Sequence, residues 1–110
     1  MHGDQTHFIE PFAFQTGKNE AIAALKNILS AQKRTAIVEE TSNYLHVEFK
    51  TRFFKFVDDV EFYFPEDENV VHIRSASRLG YSDMGLNRKR MESLRGLFMA
   101  ALENNQPENK

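Results

Sequence analysis

The sequence predicts an α+β domain: an antiparallel sheet of about four strands in a meander, with an N-terminal and a C-terminal helix packed on one face. Two observations predict it. Four short segments with apolar residues at alternate positions follow one another across residues 35–78, separated by polar turns rather than by helical patterns. Segments with helical apolar spacing lie only before and after that run, so the strand–helix alternation of a parallel sheet is missing.

The first helix is expected from about Lys18 to Gln32. Thr16 or Gly17 can cap it, Glu20 suits its first turn, and Ile22, Leu25, Ile28 and Leu29 form one apolar stripe. Residues 35–40 (TAIVEE) give the first predicted strand, and Thr41-Ser42-Asn43 turns the chain. In the second, Tyr44–Lys50, Leu45, Val47 and Phe49 face one side, and His46 and Glu48 the other. The third covers about Phe54–Phe64, and the polar turn Pro65–Asn69 leads into a fourth, about Val70–Arg78. Val71 and Ile73 must share the core face with Phe64 and Phe62, since a slip by one residue would expose them. That register sets Glu61 opposite Arg74 and Tyr63 opposite His72 on the outer face. On the inner face it sets Val60 opposite Ser75 and Asp58 opposite Ser77, so the apolar face turns polar at one end. The second helix is expected from about Asn87 to Glu103, burying Met91, Leu94, Phe98, Ala101 and Leu102. Residues 1–15 read as an irregular arm that packs Phe8, Ile9, Phe12 and Phe14 onto a single domain of residues 16–103. Residues 104–110 read as a frayed polar tail.

Composition bounds the function. The 110 residues amount to one domain, and 41% hydrophobic against 27% charged residues is the balance of a folding chain. A net charge of −2 gives no reason to expect nucleic acid or an anionic membrane as partner. The absence of Cys excludes disulfides, thiolate metal sites and Cys nucleophiles within this sequence. No apolar run approaches the ~20 residues of a membrane helix. As it stands the sequence predicts a cytoplasmic protein. An upstream segment would make it exported or membrane-associated.

Two features could carry chemistry. Arg88, Lys89 and Arg90 are expected in the first turn of the second helix, where the dipole disfavours cations by roughly 0.3–1 kcal/mol each. Either the protein's own carboxylates (Asp58, Asp59, Asp83) offset them, or a bound anion does. Asp58 is the lone charge on a Phe/Val face, so it needs a partner such as Ser77, Arg88 or Arg90. It is either half of a structural ion pair or a general acid/base. Asp58 and Asp59 point to opposite faces of a strand and cannot act as a carboxylate dyad. Glu61 and Arg74 read as a cross-strand ion pair. His72 lies on the face opposite Ser75 and Ser77, there is no Gly-x-Ser-x-Gly elbow, and the four His lack metal-ligand spacing. No cofactor and no metal is therefore expected.

The blocks Asn43–Phe49, Phe56–Phe62 and Ile73–Arg90, with His7-Phe8-Ile9-Glu10-Pro11 ahead of them, resemble an uncharacterised family, domain of unknown function 1499, found in bacteria and photosynthetic organisms. The resemblance covers about residues 7–95. It implies no activity, but its signature contains the residues that the register gathers at the polar end of the sheet. Many relatives carry an upstream Pro-Asn-Cys-like segment behind an export signal or membrane segment, and these residues do not include one. The leading expectation is a binding or interaction module for a small anion or an acidic group of a partner. Its site would be a mouth formed by Arg78, the Tyr81–Asp83 loop and Arg88, with Asp58 and Ser77 beneath, and with Asn87 and Arg90 as further candidate ligand-binding residues. The alternatives are a hydrolase using Asp58 or Asp83 as acid/base, and a structural domain whose partner docks on the open sheet face. That open face, with Tyr63, His46 and His72, predicts weak self-association.

Overall fold

The computed structural model describes residues 6–50, 57–77 and 84–104. Five strands and two helices follow in the order β1 (Thr6–Ala13), α1 (Lys18–Ala31), β2 (Thr35–Thr41), β3 (Tyr44–Lys50), β4 (Val57–Tyr63), β5 (Val70–Ser77) and α2 (Met84–Asn104). They build one antiparallel sheet in the order β1-β5-β4-β3-β2. Strands β2 to β5 form the expected meander. The predicted registers of Glu61 with Arg74, Tyr63 with His72, Val60 with Ser75 and Asp58 with Ser77 are all observed.

The structure corrects the strand count from about four to five. Residues 6–13 are an edge strand beside β5 rather than irregular chain. Alternation fails to reveal it because β1 carries a bulge. Ile9 pairs with Ile73 and Phe12 with Val71, so one extra residue is accommodated between them. Glu10 and Pro11 are exposed there, and Pro11 has no N–H to give to a ladder, as suits an edge. Of the residues expected to anchor this segment, Phe12 and Phe14 are buried in the core and Ile9 packs against it, while the Phe8 side chain lies outside those described. Arg95 of α2 closes this edge. Its guanidinium donates to the carbonyls of Pro11 (3.0 Å) and Glu10 (3.1 Å) and lies 4.8 Å from the centroid of the Phe12 ring.

The opposite edge, β2, is bulged as well. Ile37 pairs with Val47 but Glu39 with His46, which turns Val38 out to 46% exposure. Bulges and charged residues on both edges discourage pairing with a further strand.

Both helices lie on the same face. Helix α1 is capped by Gly17, whose N–H donates to the Glu20 carboxylate (3.2 Å). It buries Ala21, Ala24, Leu25 and Leu29. Helix α2 buries Met91, Leu94, Phe98 and Leu102. Against them the sheet presents Leu45, Val47, Phe49, Val60, Phe62, Val71 and Ile73, forming a single core. Among the described residues no element covers the other face of the sheet. No helix among the described residues is long and apolar enough to cross a membrane.

Candidate functional site

At its polar end the inner face carries Asp58, 6% exposed, and Ser75, fully buried. Asp58 sits directly opposite Phe49 in β3. Arg90 reaches down from α2, donates from Nη1 to Asp58 Oδ2 (3.1 Å), and stacks its guanidinium 4.8 Å from the centre of the Phe49 ring. One side chain thus ties α2 to two adjacent strands, by a charge-assisted bond to one and a cation–π contact to the other. Of the partners foreseen for Asp58, Arg90 is seen bonded to it among the described side chains. Arg88 is exposed.

Helix α2 begins at Met84, so Arg88, Lys89 and Arg90 lie in its second turn rather than its first. The dipole falls off within the first turn, and these cations need no anion to offset it. The sequence misplaced the start because Gly85 reads as a loop residue, although it stands inside the helix. Of the other foreseen mouth residues, Arg78, Tyr81 and Asp83 lie outside the described residues. Ser77 and Asn87 are placed only by their backbone, in β5 and α2.

A second cluster lies on the uncovered face. Glu61, in the middle of β4, is gripped from both sides. Arg74 donates to its Oε1 from Nε (2.7 Å) and from Nη2, and the Tyr44 hydroxyl donates to Oε2 (2.7 Å). One row further along, His46 donates from Nε2 to Asp59 Oδ1 (2.8 Å). His72 pairs with Glu68 instead (3.1 Å), so the two outer-face histidines serve different carboxylates. Two shallow depressions join at Glu61 and Arg74. One, of about 280 Å³, is lined by Tyr44, Glu61, Tyr63, His72, Ile73 and Arg74. The other, of about 220 Å³, is lined by His46, Asp59, Glu61, Arg74 and Ala76. The Glu61–Arg74 pair was legible in the sequence. Tyr44 was missed as a site residue, although its parity with His46 and Glu48 already put it on that face.

Burial pushes the Tyr44 hydroxyl up to about 12, helped by its bond to the Glu61 carboxylate. For Glu61, burial acts upward, but the bonds from Tyr44 and Arg74 and the attraction of Arg74 outweigh it and hold the carboxyl below its usual range. The linkage has opposite signs at the two groups. A depressed carboxyl contributes stability at neutral pH that is lost as pH falls through its folded value. A raised phenol contributes stability that is complete below 10.0 and is lost as pH rises towards 12. Tyr44→Phe is therefore expected to cost about 1 kcal/mol near neutrality. Its deficit against the parent chain should shrink on both sides of a plateau, in acid and above pH 10.0. Urea melts of both proteins across pH would show this; a deficit independent of pH would mean that the Tyr44–Glu61 bond does not form.

The family model described as "Protein of unknown function (DUF1499)" matches residues 2–98. The chain belongs to this family. Both clusters fall inside the matched span. Comparison with curated proteins gives no match, and neither does comparison with solved structures.

Proposed function

We propose that this DUF1499 chain is a small binding module that works through the uncovered face of its sheet. One observation carries this reading. Both helices cover the inner face, while the outer face holds a fixed polar network, Tyr44–Glu61–Arg74 with His46–Asp59, that no core packing requires. Side chains locked by mutual hydrogen bonds on an open surface are preorganised for recognition at little entropic cost. Asp58 fits the alternative role of acid/base poorly, because it is buried and committed to Arg90.

A second reading retains a small anion or an acidic partner group at the start of α2, supported by the exposure of Arg88 and Lys89 there.

Thermal stability against phosphate, sulfate, nucleotides, acidic lipid headgroups, divalent metals and neutral polar compounds tests both. A ligand of the folded state stabilises it by about 2.7 kcal/mol at a hundredfold its Kd. The expected result is a stabilising compound whose effect is lost in Tyr63→Ala/Arg74→Ala and kept in Arg88→Ala. Loss in Arg88→Ala alone would move the site to α2, and chemical conversion of a stabilising compound would favour the hydrolase.

A further inference from the structure

The uncovered face is ordered in rows across the strands. Tyr44, Tyr63 and His72 are directly paired neighbours on β3, β4 and β5, so three ring side chains cross the sheet side by side. The next row is His46, Glu61 and Arg74, and the one after it Glu48, Asp59 and Ala76. The two depressions follow these rows, running from an aromatic end to a polar end and sharing Glu61 and Arg74.

Resting on the reading of this face as a binding surface, we propose that the trough takes a neutral saccharide, one sugar ring lying against Tyr44 and Tyr63 with its hydroxyls on Arg74, Glu61 and the His46–Asp59 pair. Charge is the first reason. Glu61 is paired with Arg74, and Asp59 accepts a hydrogen bond from His46. A bare anion would have to displace Glu61 from Arg74 to enter. A hydroxyl does not: it uses the N–H groups and lone pairs that those bonds leave over, since a guanidinium has five N–H donors and a carboxylate about four acceptor positions.

Size and shape are the second reason. A depression of about 280 Å³ lies below the usual range for drug-sized ligands and suits one or two small rings. It is shallow, and a sugar bound there can keep its outer face hydrated.

The aromatic row is the third. The apolar C–H face of a pyranose stacks on a Tyr ring, and Tyr63 offers such a ring at 46% exposure. A nucleoside base would stack equally well. A nucleotide, however, brings phosphate towards Asp59 and Glu61, against the field it needs.

The test is amide chemical-shift titration of the whole 15N-labelled chain with glucose, galactose, mannose, N-acetylglucosamine and their disaccharides. Adenosine, inorganic phosphate and the remaining panel compounds are run alongside. Saturable shifts are expected at Tyr44, Glu61, Tyr63 and Arg74 with at least one saccharide. Tyr63→Ala, on an exposed side chain, should weaken that binding about tenfold, the loss of one good stacking contact. No saccharide response at these amides, or a response that Tyr63→Ala leaves unchanged, overturns the proposal. If adenosine or another compound shifts the same amides while every saccharide fails, the saccharide is wrong and the binding face stands. If nothing in the panel shifts them, both fall.

Discussion

Replacing Phe98 by Ala is expected to cost about 4 kcal/mol, the middle of the range for removing a buried aromatic ring. Phe98 is wholly buried and packs 5.5 Å from the centre of the Phe12 ring and 6.3 Å from that of Phe14, edge-on to the latter. Phe14 in turn meets Phe64 at 6.2 Å. This chain of rings fastens the N-terminal edge strand and its continuation to the last helix, across nearly the whole length of the sequence. A domain of this size has a total stability of about 5–15 kcal/mol, so the loss is a large fraction of it. Phe98→Leu, which keeps most of the volume, should cost less than about 2 kcal/mol. Urea unfolding measures both, and hydrogen exchange locates the damage. Exchange should accelerate first in β1, whose fastening to α2 is the ring cluster and Arg95. If β1 amides stay as protected as those of β3 and β4 in Phe98→Ala, α2 does not hold the edge strand.

Asp58→Ala is expected to cost about 3 kcal/mol, the lower end of the range for breaking a buried ion pair. The deficit comes from losing a charge-assisted bond at a site largely closed to water. The Arg90 side chain is only 17% exposed and cannot regain full hydration without leaving Phe49. Its stack on that ring remains, which places the cost at the low end. At roughly 4–8 °C per kcal/mol for a domain near this size, Tm should fall on the order of 15 °C. Asp58→Leu combined with Arg90→Met should recover most of the loss, because an apolar pair of similar volume fills the site with no charge to desolvate. A change within about 0.5 kcal/mol in Asp58→Ala, the level of an ordinary surface substitution, would show that the pair is not structural. Asp58 would then return as the acid/base of the hydrolase reading.

The two predictions separate scaffold from surface. Asp58 and Arg90 are oriented inward and close the core at the polar end of the sheet. Glu61, Arg74 and Tyr44 point away from it, and substitutions there should be felt in binding more than in folding. Exposed pairs such as Arg74–Glu61 contribute at most about 1 kcal/mol to stability.

The sequence by itself determined the meander, the register of β4 on β5 and the two faces of those strands. Phe62, Phe64, Val71 and Ile73 alternate with polar residues, and a one-residue slip would expose Val71 and Ile73. The same parity placed Asp58 inward and Glu61 opposite Arg74. Only the tertiary structure decided the rest. Strand β1 was hidden because a bulge puts Ile9 and Phe12, three residues apart, on one face, a spacing that local alternation does not contain. The choice of Arg90 over Arg88 depended on where α2 starts and how it is rotated over Phe49. The trough between Tyr44, Tyr63 and Arg74 came from laying three strands side by side. Each of these is set by contacts between residues far apart in the chain, and such contacts leave no period in the sequence.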